Sequence, residues 1–124
     1  MIGLELGSVW SRLGSKVTIL EAMDDFLFMA DRDVAKAAAS EFKKQGLDIR
    51  LGAKVGNATV GKKGVEVEFE DKDGAQTLTV EKLVVAVGRR PLTRDLFSDD
   101  AGIQLDDRGF IVVDDECRLS LIHI

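Results

Sequence analysis

The chain has 124 residues, 22 acidic against 17 basic side chains, a net charge of −5 and a 45% hydrophobic fraction. That is one domain's worth of globular composition, too apolar for disorder, and no apolar run approaches the ~20 residues of a membrane span. The scattered basic residues offer no face to a nucleic acid, one cysteine excludes an internal disulfide, and no signal-peptide pattern points to export.

Residues 3–13 are predicted as a helix with Leu4, Leu6, Val9, Trp10 and Leu13 as its apolar positions and Gly14 just past its end. Gly3 and Gly7 lie four apart on one face of it, where missing side chains let a helix approach a sheet. Trp10 is expected in the core. Residues 16–21 read as a buried parallel strand rich in β-branched residues, ending at Glu21. A loop with an unusual apolar cluster, Phe26-Leu27-Phe28-Met29, follows; it either caps the sheet or forms an interface. Asp31 caps a second helix over 32–45, with Val34, Ala38 and Phe42 at intervals of four, Lys43 and Lys44 in its last turn and Gly46 as its stop. Leu47, Ile49 and Leu51 alternate as a further strand.

The period then changes. Three strands, 53–60, 64–70 and 75–80, are separated by turns at 61–64 and 71–74, and Val65, Val67 and Phe69 alternate with Glu66, Glu68 and Glu70. This is an antiparallel meander where a doubly wound fold would carry a crossover helix. Leu83-Val84-Val85-Ala86-Val87 is predicted as a strand buried within the sheet, running into Gly88-Arg89-Arg90-Pro91, where at least one of the two arginines reads as a solvated charge. A short strand is expected at 110–113. Cys117 reads as a half-buried strand-end residue, and His123 has no acid–base partner near it in sequence.

Ile2-Gly3-Leu4-Glu5-Leu6-Gly7 and the strand ending at Glu21 look like a dinucleotide-binding βαβ unit that lacks its beginning. Only the third glycine of G-x-G-x-x-G is present, as Gly3, with an acid eighteen positions on. Together with the meander and Val87-Gly88-Arg89-Arg90-Pro91, these residues resemble the NAD-binding domain of the flavin-dependent pyridine nucleotide–disulfide oxidoreductases. Thr18-Ile19-Leu20-Glu21-Ala22, Lys43-Lys44-Gln45-Gly46, Gly52-Ala53-Lys54-Val55 and Asp107-Arg108-Gly109-Phe110-Ile111-Val112-Val113-Asp114 are similar to the dihydrolipoamide dehydrogenase branch. Phe28 and Leu92 stand where that branch usually has proline and often asparagine.

The resemblance implies an α/β fold: a Rossmann-like NAD-binding domain with a three-stranded antiparallel meander as crossover, its first strand missing. In a sheet of order 3-2-1-4-5 that strand would lie between residues 16–21 and 83–87. It implies NAD contacts from Ile2, Gly3 and Leu4 at the pyrophosphate, Glu5 toward the nicotinamide and flavin, Glu21 at the adenosine ribose, Val55 at the adenine and Gly88 beside the nucleotide. Glu21 favours NAD over NADP. In the full-length parent, dihydrolipoamide would reduce a disulfide and electrons would pass through FAD to NAD. The expected partners are lipoyl domains of 2-oxo acid dehydrogenase complexes and a second copy in a homodimer, in the cytoplasm. No catalytic or metal-binding residue is expected within this chain, because the cysteine pair, both FAD-binding segments and the His-Glu pair would lie outside residues 1–118. The alternatives are another flavin disulfide reductase, such as a mercuric or glutathione reductase or a transhydrogenase, and a non-catalytic nucleotide-binding module.

Residues 119–124, Leu-Ser-Leu-Ile-His-Ile, leave the family pattern. They are what CTG TCT CTT ATA CAC ATC encodes, which resembles a transposon end used in sequencing libraries, so the segment reads as a non-native, adapter-derived tail.

Overall fold

The computed structural model describes residues 1–119; the rest of the expected tail, including His123, lies outside the described residues. The chain divides into two units, 1–86 and 87–124.

In the first unit α1 (Ile2–Arg12) is followed by β1 (Thr18–Leu20), α2 (Arg32–Lys44), β2 (Asp48–Arg50) and the strands β3 (Lys54–Gly61), β4 (Gly64–Asp71) and β5 (Gly74–Val80). α1 ends at Leu13, after which Gly14 turns left-handed at φ 94°. α2 starts where expected: the Asp31 carboxylate accepts from the amides of Asp33 and Val34, two of the donors every helix start leaves free. β1 and β2 pair in parallel, Thr18 opposite Asp48 and Leu20 opposite Arg50. β3, β4 and β5 form the antiparallel meander with β4 in the centre. Gly56 is an extra residue in β3 between Val55, opposite Phe69, and Asn57, opposite Glu68. A bulge of this kind in an outer strand discourages pairing with other chains.

The core is small. Ala35, Leu47, Ala53, Val67 and Phe69 are its buried apolar residues. The alternation in β4 works as expected, with Val67 and Phe69 packed and the glutamates wet. Arg50 ties the end of β2 to the meander. Its guanidinium lies 5.5 Å from the Phe69 ring centroid and donates to Gln76 Oε1 at 3.0 Å, while its Nε donates to Asp48 Oδ2 at 3.1 Å.

Two burial expectations are corrected here. Residues 83–87 are not a buried strand: they form no ladder among the described residues, and Val85 is 73% and Val87 94% exposed. An apolar run is buried only where neighbours flank it, and no strand lies beside this one. Trp10 is not a core residue either, being 39% exposed. In the apolar loop, Phe26 packs edge-on against Phe42 of α2 with centroids 6.3 Å apart, whereas Phe28 and Met29 face outward.

The second unit consists of turns and isolated bridges, Leu105 to Ile111 and Val113 to Leu119, with a 3-10 turn at Asp99–Ala101. The expected strand at 110–113 is thus reduced to two bridged residues. Two successive turns share one bonding scheme. The Asp106 carboxylate accepts from the amides of Arg108 and Phe110, and the Asp114 carboxylate from those of Glu116 and Arg118. Gly109 and Cys117 occupy equivalent left-handed positions, at φ 83° and 61°. Cys117 is therefore an exposed turn residue, not a half-buried strand end.

Candidate functional site

Gly7 brings α1 down onto β1. A Cβ there would sit 3.3 Å from both Val17 Cγ1 and Ile19 Cδ1, close enough that these neighbours would have to give by a few tenths of an ångström. The chain reverses between α1 and β1, so the start of the helix and the end of the strand face the same way. Ile2, Gly3, Leu4 and Glu5 form the first turn of α1, and Glu21 follows the last residue of β1.

The first turn of α1 carries no side-chain cap. Leu4 and Glu5 donate their amides to the Met1 carbonyl at 2.9 and 3.2 Å. The amides of Ile2 and Gly3 have no acceptor among the described residues, and a helix start left in this way can receive an anion. A Cβ on Gly3 would meet only Ala86 Cβ at 3.6 Å, an ordinary contact. Packing therefore requires the glycine at 7 and not the one at 3. Ile2 and Glu5 are exposed and Leu4 is half-buried.

Glu21 is held by its backbone on two sides. Its amide donates to the Arg50 carbonyl at 2.9 Å, and its carbonyl accepts from the Ala53 amide at 2.9 Å. Its exposed side chain folds back so that Oε1 accepts from the Met23 amide at 3.0 Å. Oε2 has no protein donor among the described residues. Two residues beyond Ala53 lies Val55, 52% exposed beside the Gly56 bulge. Glu21 is thus bonded to Ala53, two residues before Val55 at the start of β3. A carboxylate with one oxygen fixed and one open can accept from a sugar hydroxyl, and an exposed apolar side chain such as Val55 can cover one face of an aromatic ring.

Gly88 belongs to the second unit. It has φ 142° and no atom within 4 Å of a Cβ placed on it, so its conformation, not its packing, calls for glycine. Arg89 and Arg90 are both exposed. Met23, whose backbone amide anchors Glu21, and Gly52, whose amide donates to the Met23 carbonyl at 3.0 Å, carry no sequence signal of their own for this role. Among the described residues no group of acidic, cysteine or histidine side chains is arranged for a metal ion, and no helix is long and apolar enough to cross a membrane.

Comparison with known proteins agrees with this architecture. The pyridine nucleotide-disulphide oxidoreductase family matches residues 1–124. The dihydrolipoyl dehydrogenase of Cupriavidus necator is 57% identical over 122 residues, 98% of this chain and 26% of that protein. The dihydrolipoamide dehydrogenase of Chaetomium thermophilum is 40% identical over 127 residues, 100% of this chain and 25% of that protein. Among solved structures, the HOCl-induced flavoprotein disulfide reductase RclA from Escherichia coli superimposes with a TM-score of 0.82 at 39% identity, over 96% of this chain and 26% of that one. The chain spans about a quarter of the length of the relatives it matches. A family match over its whole length, on an α/β structure with a parallel strand pair and an antiparallel meander, shows that this chain belongs to the pyridine nucleotide-disulphide oxidoreductase family.

Proposed function

We propose that the chain is the NAD-binding part of a dihydrolipoyl dehydrogenase. The observation that carries this is the anchored carboxylate of Glu21, with Oε1 bonded to the Met23 amide and Oε2 open at the strand end. An anchored acid accepts from ribose hydroxyls and repels a 2′-phosphate. Support for the branch of the family comes from the 57% identity to a protein named dihydrolipoyl dehydrogenase.

The remaining contacts follow from the same placement. Gly3 leaves room for a pyrophosphate at the first amides of α1, with Ile2 and Leu4 on either side. Glu5 extends from that turn toward the nicotinamide end. Val55 offers its exposed side chain to the adenine, and Gly88 is assigned to the nucleotide from the family resemblance alone. Bound NAD supplies the hydride acceptor. The residues here position it, exclude the phosphorylated cofactor and leave disulfide and FAD chemistry to other parts of the parent enzyme. Those parts would carry dihydrolipoamide oxidation, docking to lipoyl domains and the homodimer contacts, in the cytoplasm. Residues 1–118 are read as this partial domain and 119–124 as the adapter-derived tail.

The domain is proposed to be Rossmann-like and short of its first strand. β1 is paired only with β2, and residues 83–86 join no sheet, among the described residues. A strand between them would satisfy both rows of backbone groups.

The test places residues 1–118 in the corresponding segment of the Cupriavidus necator relative and compares kcat/KM for NAD and NADP. Preference for NAD is expected, and Glu21→Arg should reduce or reverse it. Losing an anchored acceptor while gaining a phosphate partner changes the ratio by ~2–4 kcal/mol. Equal use of both nucleotides before the substitution would refute the role given to Glu21.

A further inference from the structure

Between β2 and β3 the chain passes through Gly52 at φ 66°, a left-handed conformation. Its amide donates to the Met23 carbonyl at 3.0 Å. That bond departs from the parallel pairing of β1 with β2: the Glu21 amide donates to the Arg50 carbonyl, but the Glu21 carbonyl accepts from the amide of Ala53 rather than of Gly52, and the Gly52 amide turns to the Met23 carbonyl instead. The loop 21–24 is thereby laid along residues 50–53. Met23 is the pivot. Its carbonyl is fixed by Gly52, and its amide in turn fixes Glu21 Oε1 at 3.0 Å.

We infer that Gly52 is a positioning residue for nucleotide selectivity, acting through Met23 on the Glu21 carboxylate. This rests on the reading of Glu21 as the ribose acceptor. A residue with a Cβ meets two obstacles at 52. It pays a conformational penalty at φ 66°, least for asparagine and greatest for β-branched residues. Its Cβ would also stand 2.6 Å from Asp24 Oδ1, which must swing away. Asp24 is exposed, so its carboxylate moves at little cost and the backbone constraint dominates. Relaxing φ to negative values turns the 51–52 peptide and takes the amide away from Met23. The Met23 peptide then loses its fixed orientation, and Glu21 its anchor. An unanchored carboxylate must be ordered afresh when it binds, which weakens binding of the ligand that uses it. A ligand that Glu21 repels gains nothing from the anchor and is left nearly unaffected.

The experiment uses the 124-residue chain labelled with 15N, as wild type and as Gly52→Val, Gly52→Ala, Gly52→Asn with Asp24→Ala, and Glu21→Ala. The Met23 amide resonance reports the anchor without any nucleotide. Gly52→Val should move it to where Glu21→Ala puts it; the asparagine variant should leave it in place. Titrations with NAD and NADP then report selectivity. NAD affinity should fall about tenfold in Gly52→Val, the size that one hydrogen bond to a charged group carries, with NADP changed less than about twofold. Gly52→Ala should fall between, and the asparagine variant should recover most of the loss. A merely structural glycine would lower both affinities together and leave the Met23 resonance near its wild-type position in every folded variant, and either result overturns the inference. Wild-type chain that binds both nucleotides equally, or binds neither, with the Met23 resonance behaving as expected, would instead refute the ribose role of Glu21 and leave the Gly52 anchor standing as geometry.

Discussion

Gly3 and Gly7 share one face of α1, yet the structure gives them opposite reasons for being glycine, and alanine substitution separates the two. At Gly7 the added Cβ lands 3.3 Å from Val17 Cγ1 and from Ile19 Cδ1. Alanine in a helix interior gains about 1 kcal/mol over glycine. Overpacking costs about 1–3 kcal/mol, and Val17 is stiff at χ1, so it yields poorly. The expected net is a destabilisation of about 1 kcal/mol. At Gly3 the Cβ meets only Ala86 Cβ at 3.6 Å. There is no crowding term, and alanine in the first turn should stabilise by about 0.5 kcal/mol. The two variants should therefore differ by about 1.5 kcal/mol in urea unfolding. Ile19→Val in the Gly7→Ala background removes one of the two crowding methyl groups and should recover part of the loss. NAD affinity should follow the reverse order: if Gly3 lies at the pyrophosphate, as proposed, Gly3→Ala, the more stable protein, should bind more weakly. If Gly3→Ala destabilises as much as Gly7→Ala, the packing geometry is wrong. If it stabilises and leaves NAD binding unchanged, Gly3 does not face the nucleotide.

Cys117→Gly should stabilise the second unit by about 0.5 kcal/mol, since a non-glycine residue at φ 61° carries strain that glycine relieves, less glycine's entropic cost; Gly109→Ala in the equivalent turn should destabilise, and matching signs for the two in urea melts would refute their equivalence. Both turn aspartates are held below the ordinary carboxylate range, Asp106 first by the Phe110 amide and Asp114 first by the Arg118 amide and then its guanidinium. A folded-state pKa below the unfolded one gives stability that is full above the ordinary value near 3.9 and is lost as pH falls through the lowered one. The amide resonances of Phe110 and Arg118 should accordingly hold steady down to about pH 4 and shift together below it, and a shift centred above that value would contradict the bonding scheme. Extending the chain upstream by a segment of the form V-V-I-G-G-G-V should raise the melting temperature and suppress aggregation, because it pairs the open edges of β1 and 83–86; an unchanged melt would refute the proposed slot.

What could be read from the sequence depended on whether the signal was local. Asp31 and Gly46 bracket α2 by side-chain and backbone chemistry that needs no distant partner. The meander followed from alternation in Val65–Glu70 between glycine turns. The run 83–87 misled because its apolar residues are suited to burial on both faces, while burial itself is supplied by strands on either side. Trp10 failed for the same reason: size and apolarity favour a core position but do not place one. Cys117 is different, because its signal was present and overlooked. Asp106-Asp107-Arg108-Gly109-Phe110 and Asp114-Asp115-Glu116-Cys117-Arg118 repeat at an interval of eight, each opening with an aspartate that accepts from amides two and four residues on. The glycine of the first copy marks the conformation that the cysteine must adopt in the second.

The candidate site divides along the same line. Glu21 stood out as an acid at the end of an apolar strand, a one-residue signal. What makes it a defined acceptor is a chain of three backbone groups, from Gly52 through Met23 to its own carboxylate. That chain exists only because Thr18 pairs with Asp48 and not with a neighbour one step along. A shift of one residue in that register would move the Gly52 amide away from Met23 and turn alternate side chains of β2 over. Arg50 opposes such a shift. It contacts Phe69 and Gln76 of the meander, so slipping β2 would break both contacts at once. The register that orients the carboxylate at position 21 is thus held by a cation–π contact and a hydrogen bond made by the residue opposite Leu20, and those are visible only once both sheets are in place.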